Sequence, residues 1–461
     1  MKKKTLDMTE GSPLRLIIAF TIPIILGNIF QQLYNIGDAK VVSFYLNENA
    51  FGAVGMTAVV TNTLMGLLNG FTQGFGILVA NAFGAKDNAR IRRYISGSAK
   101  LTLLLAIVLT TLAFIFIRPI LGWLNTPEEM MDQALSYVRI ILISLPFTAL
   151  YNLSANLLRS LGDSRTPLYC LIGSIILNLL LDMLFIGVFH WGIEGAAVAT
   201  LIAIGICSFV CFFYGVTRFK MYMPTKDDRP LQHDYHELFF TGLSMGLMGC
   251  IVNIGTIILQ GAINDLGSNT IAAHTAGRRL VDILMSLIYT YGFTMTTYVS
   301  QNEGAGKRDR IRQGVRIACI IVTVESIFLI LFTFLFSREI VTWIASTEIE
   351  EIRELATLYC RVMLCFFPAL GPLFILRCTL QGVGKKIIPL VSSVLELSVK
   401  IFAAFFLVPQ IEYMGIALAE PISWVMMTTI LTIGYVKWWR KVAKETVETS
   451  KNETTKIDTA D

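Results

Sequence analysis

Two aspartates lie in segments of the chain that are apolar enough to cross a membrane. Asp38 follows Pro23 in the first long apolar stretch, and Asp182 lies between Leu181 and Met183 in a later one. A charge at that depth in a bilayer is costly, so a carboxylate inside a membrane span marks a functional site by default. The two aspartates are therefore the first candidates for the chemistry of this chain.

Uncharged polar side chains accompany these two carboxylates. Asn178 precedes Asp182 by four residues, which places both on one side of a helix. Two carboxylates close together in a poorly solvated place cannot both ionise at low cost, so we expect proton exchange near neutral pH. The same oxygen atoms would equally suit a bare Na⁺, and the sequence leaves H⁺ and Na⁺ open. The other groups expected near this site are Gln31, Tyr34, Asn35, Asn152 and Thr200.

Each aspartate has a simpler explanation. Asp38 could be solvated at the outer end of its helix, because Lys40 follows closely. Asp182 is harder to explain in this way, since its neighbours are apolar, but a role in helix packing stays open for it.

The composition is typical of a protein that crosses a membrane many times. Of the 461 residues, 54% are hydrophobic and only 15% are charged, whereas soluble proteins carry about 25% charged residues. The net charge of +5 does not indicate nucleic-acid binding, because the basic residues lie between the apolar segments. No removable signal peptide is expected before Pro13. Nearly all of the eight cysteines fall in apolar segments and none forms a CxxC pair, so we expect small buried side chains and neither disulfides nor cysteine metal ligands. No cofactor is expected.

Twelve apolar segments are long enough to span a bilayer. The connections between them are alternately basic and acidic, which by the positive-inside rule predicts a multi-pass protein of the cell membrane with both termini in the cytoplasm. The predicted spans are 14–39, 50–78, 95–118, 133–158, 167–189, 194–217, 237–263, 270–299, 315–337, 354–379, 388–409 and 415–437.

These spans divide into two halves that repeat one another. We predict an all-α integral membrane protein of two pseudo-symmetric six-helix lobes, 1–217 and 237–437, joined by a cytoplasmic linker, 218–236. Residues 438–461 are polar and are expected to be a disordered cytoplasmic tail. Matched pairs in the two halves lie 220 or 222 positions apart: Gly84 and Gly304, Arg90 and Arg310, Trp123 and Trp343, Pro146 and Pro368, Gly195 and Gly415.

The repeat fails at the acidic positions. Asp38 corresponds to Ile258, and Asp182 corresponds to Ala404. A packing requirement common to both lobes would not produce this asymmetry, whereas an ion-coupling site in the first lobe would. In the second half we expect Glu396 and Lys400 to pair across one helical turn. His274 is expected to be a packed residue, and three acids have no evident partner in sequence: Asp282, Glu325 and Glu420.

Taken together, these motifs resemble the multidrug and toxic compound extrusion (MATE) family over nearly the whole chain. The resemblance rests on Pro23 with Gln31, Tyr34 and Asp38, and on the order of three further stretches. These are Ala80 to Lys86, Leu158 to Pro167 (LRSLGDSRTP) and Gln301 to Gly306 (QNEGAG).

The resemblance implies an antiporter that exports organic cations, drugs or other toxic compounds by alternating access, driven by H⁺ or Na⁺. The DinF-like branch has its acidic site in the first lobe, which implies ion-coupling roles for Asp38, Asn178, Asp182 and Thr200. These four would also be the Na⁺ ligands. Gln31, Tyr34 and Asn152 would line the cavity, and Pro23 would bend the first helix. The NorM-like branch needs an acid in helix ten, where this chain has none after Glu354. Members of the family usually act as monomers with small amphiphilic or cationic substrates in a lipid bilayer.

Three other classes of membrane protein are alternatives to an exporter of this kind: a flippase, an enzyme and a channel. A flippase for lipid-linked oligosaccharides or lipids of the same superfamily needs several cations in its cavity, and we expect no cluster of Arg or Lys inside the spans. A membrane enzyme is disfavoured because the sequence has no HExxH and no GxSxG motif. A channel is disfavoured because a two-lobe repeat with acids near the midplane is typical of alternating access.

Overall fold

A computed structural model shows a chain built of long helices. It describes residues 5–45, 48–124, 126–225, 227–345 and 349–458; within these ranges, the side chains of 35, 36, 38–43, 48–51, 345 and 446–458 are not described. In the described ranges the helices are α1 Pro13–Tyr45, α2 Glu48–Gly84, α3 Asn88–Trp123, α4 Glu128–Ser160, α5 Arg165–Asp182, α6 Gly192–Arg218, α7 Gln232–Asn264, α8 Ser268–Gly304, α9 Arg308–Ala345, α10 Glu350–Cys365, α11 Phe367–Gly382, α12 Ile387–Phe402, α13 Val408–Ile411 and α14 Tyr413–Asp458.

Two π-helical turns interrupt otherwise regular helices. One, Met183–Val188, follows α5 directly, and the other, Ala403–Leu407, connects α12 to α13. Such wider turns are rare in proteins overall, and many of those that occur lie at functional sites. The first of them begins at the residue after Asp182.

The membrane-spanning helices confirm the all-α fold. Among the described residues, ten helices are long and apolar enough to cross a membrane, and α10 with α11 forms an eleventh, bent span. The remaining predicted span is α8, which has 37 residues but is more polar. Its bounds lie 220 positions after those of α2, so the two helices hold equivalent places in the repeat.

The tenth predicted span, 354–379, is not one straight helix. The structure breaks it at Phe366, where α10 and α11 meet at 52°. The physical reason is a pair of prolines, Pro368 and Pro372, each of which lacks the N–H that continues a helical hydrogen-bond ladder. The equivalent helix α4 has only Pro146 within it and is continuous.

The C-terminal segment also differs from the expectation. Residues 438–458 are helical, as the continuation of α14, rather than disordered. The segment is polar, but it is rich in Lys and Glu, which favour helices as strongly as most apolar residues do. Lys441 and Glu445 also form an ion pair one turn apart, at 3.9 Å.

The chain folds into two compact units, Met1–Ile254 and Gly255–Asp461. The first unit includes the predicted linker and the first part of α7. Two ion pairs explain why the linker and the start of α7 belong to the first unit. Arg92 lies 2.9 Å from Asp228, and Arg93 lies 2.9 Å from Asp234. The linker and the start of α7 are thereby fixed to α3.

In the first unit, three helices surround the predicted ion site. α1 packs on α5, and α5 packs on α6. Gly27 of α1 faces the side chains of Leu168 and Leu171 on α5, and a Cβ there would lie 3.6 Å from both, at ordinary van der Waals distance. A Cβ at Gly37 would lie 3.7 Å from Leu179. The same face of α5 carries Asn178 and Asp182 at its end.

Candidate ion-binding site

Two polar residues of α5, Asn178 and Asp182, are among the most buried in the first unit. The exposed fraction of Asn178 is 3%, and that of Asp182 is 0%. They lie one turn apart at the C-terminal end of α5, directly before the π-helical turn. Burial of a carboxylate costs free energy unless it is hydrogen-bonded or paired, so its partners decide what the site can bind.

The amide of Asn178 connects three helices. Its nitrogen lies 2.8 Å from the Tyr34 hydroxyl of α1 and donates to Asp182 Oδ2 at 2.9 Å. Its oxygen accepts from the backbone N–H of Thr200 on α6, at 3.1 Å. This orientation of the amide is the favourable one, because in the opposite orientation the amide oxygen would point toward the carboxylate oxygen of Asp182. In either orientation the amide contacts Thr200, since the opposite one donates to Thr200 Oγ1 at 3.3 Å.

Four of the residues predicted from the sequence therefore meet in one cluster, which we call the N-lobe polar cluster: Tyr34, Asn178, Asp182 and Thr200. It combines a carboxylate with amide and hydroxyl groups. A carboxylate in such surroundings can take up a proton, or it can share a hard cation with neighbouring oxygens.

The other predicted residues stand as follows. The side chains of Asp38 and Asn35 lie outside the described residues, although their backbone belongs to α1. Gln31 is half-buried on the same helix, and Asn152 is half-buried on α4. Pro23 is buried inside α1, which is helical on both sides of it.

The second unit contains a larger set of buried charges that the sequence analysis resolved only in part. The expected pair of Glu396 and Lys400 is confirmed, with 3.1 Å between Oε1 and Nζ. Lys400 Nζ also lies 3.4 Å from Glu420 Oε1 and donates to Thr256 Oγ1 at 3.3 Å. Lys400 is 1% exposed, so its ammonium is almost fully enclosed by these oxygens.

Two arginines complete this set. Arg278 lies 2.7 Å from Glu420 and 2.8 Å from Asp282, both distances from guanidinium nitrogen to carboxylate oxygen. Arg377 lies 3.8 Å from Glu396 and donates to Ser392 Oγ at 3.2 Å. We call the whole set the C-lobe charge network: Arg278, Asp282, Arg377, Glu396, Lys400 and Glu420.

The expectation of no basic cluster inside the spans was wrong. Arg278, Arg377 and Lys400 all lie within predicted spans, and each contacts a carboxylate of the network. Asp282 and Glu420, which have no evident partner in the sequence, both form ion pairs with Arg278 of α8. The signal that could have found the network was the basic residues themselves, since a lone cation in a span requires a partner.

The remaining polar residues of the second unit behave as expected or stay open. His274 is 8% exposed and packs against Tyr359, with 4.8 Å between ring centroids, so it is a packed residue. Glu325 is half-buried on α9. Among the described side chains, no group of three His, Cys, Asp or Glu residues lies close enough to hold a metal ion.

Comparisons with known proteins agree with this architecture. The MatE family model matches twice, over residues 23–184 and 245–406. The chain is 27% identical over 452 residues to the "Probable multidrug resistance protein YoeA" of Bacillus subtilis (strain 168), which covers 95% of this chain and 96% of that protein. It is 23% identical over 419 residues to the "FAD transporter" of Shewanella oneidensis, over 90% of this chain and 92% of that protein.

A solved structure shows the same fold. "Crystal structure of MATE in the bent conformation" superposes with a TM-score of 0.88 at 20% identity, over 96% of this chain and 99% of that one. This likeness supports the fold of twelve helices in two lobes. The two matches of the family model also begin and end 222 positions apart, as the sequence repeat requires. The chain therefore belongs to the MatE family of membrane transporters.

Proposed function

We propose that this chain exports small amphiphilic or cationic compounds across the cell membrane, in exchange for H⁺ or Na⁺ that binds at the N-lobe polar cluster. One observation carries the proposal: Asp182 is 0% exposed and accepts from an amide that also contacts α1 and α6. A buried carboxylate at the junction of three helices is a site where ion binding changes helix packing.

The coupling follows from electrostatics. The Asp182 carboxylate accepts a hydrogen bond from the Asn178 amide, and binding of H⁺ or Na⁺ there would neutralise its charge. An ion can shift a conformational equilibrium only by its difference in affinity for the two states. Since Tyr34 belongs to α1 and Thr200 to α6, a change at Asn178 alters how both helices pack on α5.

Several finer features belong to the same proposal. Coupling of the DinF type would use Asp38 with this cluster, and α1 would bend at Pro23 as the ion binds. Gln31 and Asn152 would line the cavity. The transporter would act as a monomer, without a cofactor, and with both termini in the cytoplasm.

The test is efflux from proteoliposomes with imposed pH or Na⁺ gradients. Asp182→Asn keeps the size of the side chain but removes the charge, and we expect it to abolish gradient-driven export of a cationic dye. Glu325→Gln is the matched control, because it removes a half-buried carboxylate outside both charged sets. We expect the control to transport like the wild type, and the gradient that drives the wild type identifies the ion.

Three outcomes would count against the proposal or a part of it. Gradient-driven export that survives Asp182→Asn would place coupling elsewhere, with Glu325, Glu396 and Glu420 as the next candidates. Export that survives Pro23→Ala unimpaired would remove the bending step. A wild type that moves no dye but translocates lipid-linked oligosaccharide or lipid would favour the flippase alternative. The C-lobe charge network does not favour that alternative, because its three basic groups are already paired with carboxylates.

A further inference from the structure

A cavity of the first unit lies away from the N-lobe polar cluster, none of whose residues lines it. It has a volume of about 650 Å³ and opens between α5 and α6. Its α5 residues, such as Tyr169 and Gly173, lie on the side of that helix opposite to Leu168 and Leu171, which face α1. Tyr169 is 59% exposed and Val210 is 54% exposed, so the groove opens outward.

One end of this groove is polar. Arg165 at the start of α5 and Arg218 at the end of α6 both line it and are exposed. The one carboxylate among the lining residues, Asp163, accepts hydrogen bonds from Thr166 and from the backbone N–H of Arg165. The start of a helix also favours an anion, through its free N–H groups and its dipole.

Ser164 gives an independent indication of a ligand at this end. Its side chain lines the cavity and is 3% exposed. Within the described part of the chain, its buried hydroxyl has no hydrogen-bond partner, although Ser164 precedes the first residue of α5. Buried hydroxyl groups are almost always paired, so this donor fits an acceptor supplied from outside the chain.

The N-terminal segment closes one side of the polar end. The backbone N–H of Leu6 donates to the carbonyl oxygen of Gly162 at 3.1 Å. Gly162 has a φ of +89°, and a Cβ there would lie 2.3 Å from the Leu6 carbonyl oxygen, so only glycine allows this approach. The wall of the cavity is therefore a built part of the fold.

The rest of the groove is apolar. It continues from Tyr169 along Gly173 and Leu177 on α5, and along Ile206 and Val210 on α6. All of these positions lie within helices that are apolar enough to span the membrane. A ligand that fits both parts has an anionic head and a hydrocarbon tail.

We propose that this groove binds one anionic phospholipid of the cytoplasmic leaflet. The positive-inside rule assigns the end with Arg165 and Arg218 to the cytoplasm. The phosphate would accept from Ser164 Oγ and from the two guanidinium groups, while an acyl chain would lie along the apolar wall. Basic pockets between membrane helices on this side commonly hold such head groups. Bound in this way, the lipid would hold together α5 and α6, the helices that carry Asn178 and Thr200.

The first experiment tests charge. Full-length protein in detergent is titrated with phosphatidylglycerol or with phosphatidylcholine, and bound lipid is counted by native mass spectrometry. We expect the wild type to prefer phosphatidylglycerol, and Arg165→Ala with Arg218→Ala to weaken that binding about thirtyfold. The matched control, Arg316→Ala with Lys385→Ala, removes two exposed cations from the second unit and should bind like the wild type.

The second experiment tests the groove itself without changing its charge. A Cβ at Gly173 would have nothing within 4 Å, so Gly173→Leu can fill the apolar part without a clash. We expect it to exclude the lipid. Gly205→Leu is the matched control, because Gly205 is equally open but does not line the cavity. Ser164→Ala should weaken phosphatidylglycerol binding by at least about fivefold through the loss of one hydrogen bond to a charged phosphate.

The proposal fails in three cases. The wild type could bind phosphatidylcholine as well as phosphatidylglycerol, or the Gly173→Leu variant could bind like the wild type. Inorganic phosphate alone could raise the thermal stability of the wild type as much as phosphatidylglycerol does, which would identify a free anion as the ligand. If the double arginine variant does not fold, the Gly173→Leu pair decides the question.

Discussion

The two halves of the chain use equivalent positions in opposite ways. Lys400 lies 222 positions after Asn178, and Glu420 lies 220 positions after Thr200, which are the two offsets of the repeat. The contact between Asn178 and Thr200 thus has its counterpart in the contact between Lys400 and Glu420. Thr256 of α7 touches Lys400 as Tyr34 of α1 touches Asn178.

The difference between these contacts is one of charge. In the C-lobe charge network, three basic groups face three carboxylates, and the ammonium of Lys400 lies among oxygens as a bound cation would. In the N-lobe polar cluster, the amide and hydroxyl groups around Asp182 are neutral. Under the proposed function, one half carries its cation covalently as Lys400, while the other half binds its cation from solution. Three predictions test this contrast and a fourth concerns an ion pair outside both sites, in order of decreasing effect.

Removal of the internal cation should have the largest effect. Lys400→Met leaves Glu396 and Glu420 buried with one charge partner fewer, and loss of one member of a buried pair typically costs about 3–5 kcal/mol. We expect a loss of this size in the free energy of unfolding, measured by denaturant titration in detergent. The double variant Glu396→Gln with Lys400→Met removes one charge of each sign and should recover part of the loss. No recovery would mean that these charges do not act as a network.

Insertion of a cation into the other half should uncouple transport. In Asn178→Lys, an ammonium attached to α5 would neutralise Asp182 and could not exchange with either gradient. We expect gradient-driven efflux to fall by more than about tenfold, while the thermal stability stays close to that of the wild type. Asn178→Met is the control for the loss of the amide alone. Efflux by Asn178→Lys at the wild-type rate would refute the contrast.

The third prediction concerns a single hydroxyl group. Tyr34→Phe removes the oxygen that lies 2.8 Å from the Asn178 amide nitrogen. One hydrogen bond contributes about 1 kcal/mol, so the ion concentration for half-maximal efflux should change by roughly fivefold. Tyr45→Phe, an exposed change on the same helix, should have no effect. An equal shift in both variants would show that the hydroxyl of Tyr34 has no special part.

The smallest effect is expected from a half-buried ion pair outside the membrane, between Arg92 and Asp228. Hydrogen bonds from Thr225, followed by the contact with Arg92, lower the pKa of Asp228 to about 2. A carboxyl group with a lowered pKa stabilises the folded state above its unfolded value of about 3.9, and this contribution is lost as the pH falls toward 2. The melting temperature of Asp228→Asn should therefore lie slightly below that of the wild type at pH 6, and the two should converge near pH 2. Asp227→Asn is the control.

Much of the fold follows from the sequence because the bilayer simplifies it. Long apolar segments must become helices, since no water is present to satisfy a free backbone. The predicted span 270–299 corresponds to α8, a more polar helix whose bounds match those of α2 in the repeat. Two local features were not predicted. Pro368 and Pro372 break a span whose apolar composition alone predicts one helix. The polar segment that extends α14 is helical although its polarity predicts disorder.

The sites were predictable where their residues share one helix. Asn178 with Asp182, and Glu396 with Lys400, follow from a spacing of four. The contact of Arg278 with Glu420 joins residues 142 positions apart on different helices, so helical periodicity could not predict it. Tyr34 and Thr200 were correctly expected near Asn178, but their particular bonds depend on how closely α1 and α6 approach α5.

The paired π-helical turns have a consequence for the history of the chain. Met183–Val188 and Ala403–Leu407 both follow the fifth helix of their half. Because such turns are rare, one inheritance explains the pair better than two separate origins. The wide turn was then already present in a six-helix ancestor before its gene was duplicated. The residues beside it, Asn178 and Lys400, diverged afterwards, so ancestry set the shape of the site before the two copies took on different charges.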